Sequence, residues 1–348
     1  MSSSVLTCPL PITATDRVLL GHGSGGKLTA ELIENLIVPA FTNPALDALD
    51  DQAIVSVEGG RLAFTTDSYV VSPIFFPGGD IGELAVNGTI NDLAMGGARP
   101  LALSLAFILE EGFALADLRR VIESARRAAA RVGVPIVTGD TKVVGRGSGD
   151  QVFINTSGIG MVPAGVELGS ARVRAGDAIL LSGPIGDHGV AIMAHRAGLE
   201  LDGDITSDTA PLHDLSAALL RACSDVHAMR DPTRGGVAAT LVEIASRRRV
   251  GIEVTETAIP IREPVRGACE LLGLDPLLVA NEGKLVAFVP EREADRAVEA
   301  LRAHPLGRHA ARIGTVVDSH PGRVELVTPV RGRRVLDLPF AEPLPRIC

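Results

Sequence analysis

The sequence predicts two mixed α/β domains followed by an extended tail. Three observations carry this. The chain has 348 residues, 46% of them hydrophobic, which is ample for two buried cores. Strand-length apolar runs alternate with amphipathic helical stretches on both sides of a breaker cluster, Pro163-Ala164-Gly165. The stretch 339–345 holds Pro339, Pro343 and Pro345, a composition that stays extended. The expected division is an N-terminal segment with a Gly-rich loop (1–40), domains at 41–163 and 164–330, and a tail at 331–348.

Near the start, Val18-Leu19-Leu20 runs into Gly21-His22-Gly23-Ser24-Gly25-Gly26-Lys27, ahead of a helical stripe of Leu28, Leu32, Ile33 and Leu36. Glycines let backbone N–H groups converge on an anion, and a helix start adds its dipole. The spacing nearly matches a Walker A loop, but Leu28 stands where a Ser or Thr would hold magnesium. Next, 53–57 and 62–66 read as a hairpin around Glu58-Gly59-Gly60. Leu49-Asp50-Asp51 precedes it, and Asp67 ends its second strand. Gly78-Gly79-Asp80 opens a helix to about Met95, stopped by Gly96-Gly97 and Pro100. On it, Asn87 and Asn91 lie one turn apart, beside Asp92. Polar groups on the inner face of an Ala- and Gly-rich helix need partners, which a bound cation supplies.

A strand at 101–109 leads to a helix at 115–132, with Leu115, Leu118, Val121, Ile122, Ala125 and Val132 on one stripe. A strand at 135–138 ends in Gly139-Asp140-Thr141-Lys142, and another follows at 152–161. Asp50, Asp67, Asp92 and Asp140 each sit at an element boundary. Singly each is a turn residue; together they make a set of oxygen ligands for Mg²⁺. The second half repeats the rhythm, with strands at 178–181, 252–255, 285–289, 311–317 and 323–327. Its helices fall after Asp187 to about Ala197 and at 211–223, 237–246, 263–272 and 291–303. Residues 202–208 read as an exposed loop, Asp231-Pro232-Thr233-Arg234-Gly235-Gly236 precedes a helix, and Asn281-Glu282-Gly283-Lys284 reads as a tight turn.

Bulk properties exclude several functions. A formal net charge of −9 argues against nucleic acid and against a polybasic membrane patch. The longest apolar run is too short to span a bilayer, and residues 1–5 lack the features of a signal peptide. Cys8, Cys223, Cys269 and Cys348 contain no CxxC pair, so neither a zinc site nor a disulfide framework is indicated. The expectation is a soluble, cytoplasmic protein, where a free thiol survives.

The chain ends Pro345-Arg346-Ile347-Cys348, placing a soft nucleophile beside a free carboxylate. Prenylation is excluded, because that cysteine sits four from the end. From Pro339 to Cys348 an extended chain reaches on the order of 30 Å, enough to carry an attached group between sites.

The motifs Gly21-His22-Gly23-Ser24-Gly25-Gly26, Thr65-Thr66-Asp67-Ser68, Asn87-Gly88-Thr89-Ile90-Asn91-Asp92, Thr138-Gly139-Asp140-Thr141-Lys142, Asp231-Pro232-Thr233-Arg234-Gly235-Gly236 and the terminal Pro-Arg-Ile-Cys together resemble the HypE family of nickel–iron hydrogenase maturation proteins. The central motifs alone are similar to the wider superfamily of aminoimidazole ribonucleotide synthetase, selenophosphate synthetase and thiamine-phosphate kinase. The terminal motif singles out HypE. The resemblance implies an aminoimidazole ribonucleotide synthetase-like fold: an α/β N-terminal domain and an α+β C-terminal domain, with N-terminal sheets pairing in a homodimer and ATP in a cleft near that interface. It implies an ATP-dependent carbamoyl dehydratase. A HypF-type carbamoyltransferase loads Cys348, the carbamoyl group loses water to become a thiocyanate, and the cyano group passes to iron on a HypC–HypD scaffold. It also implies roles: Asp50, Asp67, Asp92 and Asp231 for Mg²⁺; Gly23, Ser24, Gly25, Gly26, Lys27, Asn91 and Asp140 for ATP; Glu282 as base; Lys142 to steady charge on the oxygen. Two other readings stay open. One is a small-molecule kinase such as selenophosphate synthetase, whose first glycine loop carries a reactive Cys or selenocysteine where His22 and Ser24 stand here. The other is a nucleotide-dependent scaffold whose tail only docks partners. Arg331, Arg333 and Arg334 read as a solvated basic stretch or a dock for an acidic partner.

Overall fold

The computed structural model describes residues 18–23, 26–41, 43–199, 205–338 and 346–348. Short helices α1 (Lys27–Leu32) and α2 (Val38–Phe41) lead into the first half. Its elements are β1 (Ala53–Val57), β2 (Gly60–Tyr69), β3 (Phe75–Phe76), β4 (Gly79–Asp80), α3 (Ile81–Met95), β5 (Arg99–Glu110), α4 (Leu115–Val132), β6 (Ile136–Thr138), β7 (Thr141–Val144) and β8 (Val152–Val162). A sheet runs β1-β2-β8-β5-β6, with β7 also on β5. β6 and β7 lie parallel to β5, and the other pairs are antiparallel.

Asp80 caps α3, its Oδ1 accepting from the backbone N–H groups of Gly82 (2.8 Å) and Glu83 (3.2 Å). α3 is buried almost all round, between the sheet, α4 and the second half. Its approach to α4 is close: a Cβ on Gly82 would lie 2.3 Å from the Val121 carbonyl oxygen. The α4 seam is therefore made of small side chains, Ser124, Ala125, Ala128 and Ala129, around Val121. The expected stripe is corrected accordingly, since Leu115 is 78% and Ile122 45% exposed. The other sheet face is open and apolar: Phe64 and Ile159, direct partners across β2 and β8, are both exposed, as are Val55, Val57, Ile108 and Val137.

The second half contains β9 (Asp177–Leu181), α5 (Asp187–Arg196), α6 (His213–Ala222), β10 (Ala228–Arg230), α7 (Gly236–Arg248), β11 (Gly251–Thr255), α8 (Glu263–Leu272), β12 (Val286–Pro290), α9 (Ala294–Arg302), β13 (Ala311–Val317), β14 (Val324–Val327) and β15 (Arg333–Leu336). Its sheet runs β10-β12-β9-β13-β11-β14-β15. β9 and β12 are buried on both faces, which is why they read as unbroken apolar runs. On one side Ile179 and Phe288 pack with Leu241 and Ile244 of α7; on the other, Leu180 and Ala287 pack with Leu215 of α6 and Leu301 of α9.

Three local expectations change. Asp67 lies two residues inside β2 rather than at its end. Arg333–Leu336, read as the start of the tail, is an edge strand on β14, and Arg333 pairs with Glu253 and Glu325 while Arg334 pairs with Asp275. Asp208, read as loop surface, is buried against Lys284 (2.7 Å). Ser24, Gly25, residues 202–204 and the proline run 339–345 lie outside the described residues. Among those described, no helix is long and apolar enough to cross a membrane.

Candidate active site

Strand alternation sends Asp67 and Tyr69 to one face of β2. Gly88 and Asp92, one turn apart on α3, meet them. Only glycine fits at 88, since a Cβ there would sit 2.1 Å from the Tyr69 hydroxyl oxygen. Thr65 Oγ1 donates to Asp92 Oδ2 at 2.7 Å. The loop between β10 and α7 adds Asp231, Thr233 and Arg234, and the loop before β12 adds Glu282. With Cys348 these residues line a cavity of ≈ 30 Å³, room for one or two water-sized groups beside the thiol.

The tail end is therefore docked inward. Ile347 is 1% exposed and packs with Tyr69, Val71, Ile81, Val190 and Val265, drawn from both halves. His188 Nε2 lies 2.9 Å from the Ile347 carbonyl oxygen, and Arg346 Nη1 is 2.5 Å from Asp150 Oδ2.

The cavity is an acid cluster. Burial pushes the Asp92 carboxyl well above the ordinary range, and Asp231, Asp67 and Asp51 push it further. Burial raises Asp231 to about 6 against the opposing pull of Arg230. Burial raises Asp67 against Arg234, and it raises Glu282 well up, with Asp208, Asp231 and Asp67 adding to the shift. Asp51 Oδ2, Asn87 Oδ1 and Glu282 Oε1 are buried without a hydrogen-bond partner among the described residues. Converging buried carboxylates with orphaned oxygens suit a hard cation, which keeps them ionised together.

Comparison with known proteins bears on this site. Residues 49–162 match the family "AIR synthase related protein, N-terminal domain", and 174–327 match its C-terminal domain counterpart. The chain is 57% identical over 327 residues to the carbamoyl dehydratase HypE of Azotobacter vinelandii, covering 94% of this chain and 96% of that protein. The chain belongs to the HypE family. The HypE of Escherichia coli K12 is 50% identical, over 96% of this chain and all of that protein. A solved HypE in complex with ATP superposes with a TM-score of 0.81 at 50% identity, covering 95% of this chain and 100% of that one. The HypE of a HypE–HypF complex does so at 0.84 and 46%, covering 88% and 99%.

Among the residues singled out from sequence and the HypE resemblance, the structure brings together Asp67, Asp92, Asp231, Glu282 and Cys348. Gly23 is adjacent, its carbonyl accepting from Arg234 Nη1 at 3.0 Å. Gly26 is buried at the start of α1, and Lys27 pairs with Asp337 (2.7 Å), away from the cavity lining. Asp50 accepts from the Ser170 backbone N–H at 3.2 Å, whereas its neighbour Asp51, passed over in the sequence, couples to the cluster and pairs with Arg230 at 2.6 Å. Asp140 and Lys142 pair with each other at 2.7 Å, largely exposed, beside β5. β8 and β5 separate them from Asp67 on β2.

Asn91, expected to touch phosphate, is instead buried with its side chain fully engaged. Its Nδ2 donates to the carbonyls of Ala210 (3.1 Å) and Glu282 (3.2 Å), and its Oδ1 accepts from Leu212 N–H (2.8 Å). It fixes the Glu282 loop, as does Asp208, whose Oδ1 accepts from the Glu282 N–H at 3.0 Å. Asn281 anchors the same loop by donating to the Pro232 carbonyl at 2.9 Å and accepting from Gly186 N–H at 2.8 Å. Gly283 passes so near that a Cβ would meet the Asp208 carbonyl oxygen at 1.9 Å. The expected tight turn is thus a buried, braced loop. Tyr69, Thr233 and Arg234 complete the lining; only Thr233 and Arg234 lay in a motif singled out by sequence.

Proposed function

We propose that this chain is an ATP-dependent carbamoyl dehydratase acting on its own Cys348, converting an S-carbamoyl group to a thiocyanate. The observation that carries the reading is the seat of the terminal thiol among Asp67, Asp92, Asp231 and Glu282. It is supported by the HypE relatives named carbamoyl dehydratase and by the HypE structure holding ATP.

The carbamoyl oxygen is a poor leaving group, and ATP supplies the phosphoryl group that lets it depart as phosphate. The nitrogen loses one proton as the oxygen takes the phosphoryl group; loss of the second then expels phosphate and closes the C≡N bond while the C–S bond stays intact. Glu282 is the base for that proton, with an orphaned oxygen available in the cavity. Asp67, Asp92 and Asp231 would hold Mg²⁺, with Asp51 behind them; the ion offsets phosphate charge. Arg234, at the cavity and on the Gly23 carbonyl, places a positive group between the glycine loop and the thiol. Asp140 and Lys142 serve a cleft only if a second copy supplies them. The open apolar sheet face of Phe64 and Ile159 supports such a homodimer. A HypF-type carbamoyltransferase loads Cys348, in keeping with the HypE–HypF complex. The product cyano group goes to iron on a HypC–HypD scaffold in the cytoplasm.

Infrared spectroscopy tests this directly. After incubation with the carbamoyltransferase, carbamoyl phosphate and Mg-ATP, a protein-bound nitrile band is expected, absent without ATP and absent in Cys348→Ala. A nitrile band in that variant refutes the assignment of Cys348.

A further inference from the structure

We propose that His188 and Arg196 are positioning residues for the reaction of Cys348: they hold the last two internal carbonyls of the chain and so set the register of the tail. This rests on the dehydratase reading. The Ile347 carbonyl can only accept, so His188 Nε2, 2.9 Å away, must carry the proton. His188 Nδ1 is then the acceptor for Ser207 Oγ at 2.8 Å, and Ser207 Oγ itself accepts from Thr209 N–H at 3.1 Å. Burial lowers the imidazole pKa and so favours the neutral form with this tautomer, and the ring packs edge-on to Phe76 at 5.6 Å. One residue earlier, the Arg346 carbonyl accepts from Ser72 N–H (3.1 Å) and Arg196 Nη2 (2.9 Å). Arg196 is braced in turn on the Ser72 carbonyl through Nε (3.0 Å) and Nη2 (2.6 Å).

Two carbonyls held in succession fix where the chain ends, whatever its side chains. A slip of one residue moves the thiol by about 3.3 Å, out of a cavity of ≈ 30 Å³. Misplacement by 1 Å already lowers a rate about 10²-fold. Ile347 in its apolar slot and Arg346 on Asp150 add affinity, while the His188 and Arg196 donors, together with the Ser72 N–H, set register.

The test uses the full chain and two readouts. Alkylation of Cys348 by iodoacetamide, followed by mass on the C-terminal peptide, reports docking without any chemistry at the carbamoyl group. Single-turnover water loss from pre-carbamoylated Cys348 reports positioning. Arg196→Ala lies at the exposed end of α5, so folding is preserved. His188→Phe keeps a ring against Phe76 and removes the donor. In both, alkylation is expected to rise about tenfold or more. Water loss at saturating ATP is expected to fall about 10²-fold with the half-saturating ATP concentration unchanged. Arg196→Lys should recover part of both. Alkylation unchanged in both variants overturns the dock, and faster alkylation with an unchanged rate of water loss overturns the positioning role. A parent protein whose thiol is protected but whose carbamoyl group never loses water under ATP overturns the dehydratase reading and the positioning role with it; the alkylation contrast would still report the dock.

Discussion

Replacing Glu282 by Gln isolates the proposed base, because the structure holds the loop by its backbone. The Glu282 N–H donates to Asp208 and its carbonyl accepts from Asn91, and neither bond involves the side chain that changes. Gln matches Glu in shape and removes a carboxyl that Asp208, Asp231 and Asp67 all repel. The midpoint of unfolding should therefore stay level or rise. Loss of general-base help lowers rates by about 10²–10⁴. In a quenched-flow assay on pre-carbamoylated protein at saturating Mg-ATP, water loss should slow by that factor, while loading of Cys348 by the carbamoyltransferase is unaffected. A rate equal to the parent's refutes the role of Glu282; a fall in stability refutes the view that the Glu282 side chain takes no part in holding the loop.

Asn91→Ala removes three hydrogen bonds and strands buried partners, so urea unfolding should show a loss of about 3 kcal/mol together with slower water loss; an unchanged midpoint would mean the loop is held elsewhere. Phe64→Glu places a charge on the open sheet face, and light scattering should show a parent dimer falling to monomer, whereas equal masses for the two chains would contradict sheet pairing. Burial holds the His188 pKa below its ordinary value. Its contribution is complete above the unfolded value of about 6.5 and is lost as pH falls towards the folded value, because only the unfolded chain takes the proton. Urea midpoints should therefore drop more steeply with acid in the parent than in His188→Phe, and parallel slopes would refute this.

Much of the fold was legible because period and punctuation agree. α4 runs from Leu115 to Val132, as its pattern and the following Gly133 dictate, and β9 and β12 announce their two-sided burial. The short strands β7, β10 and β15, three or four residues each, escaped. The cavity acids were legible as motifs, but their depth was not. Asp50 and Asp51 are neighbours in sequence, and only tertiary packing decides that Asp51 meets Arg230 and the cluster. Asn91 misled for a similar reason: an amide on an inner helix face satisfies buried backbone as readily as a ligand. The resting place of Cys348 depends on His188, Arg196 and Ser72, which no local pattern connects to the tail.

The central claim is that the docked thiol carries the group that is dehydrated, and the mass of the C-terminal peptide measures it. After loading by the carbamoyltransferase, the peptide ending in Cys348 should bear a carbamoyl adduct that becomes one water lighter only when Mg-ATP is added. A Cys348 left unmodified by an active carbamoyltransferase, or an adduct whose mass never changes with ATP, would contradict the account.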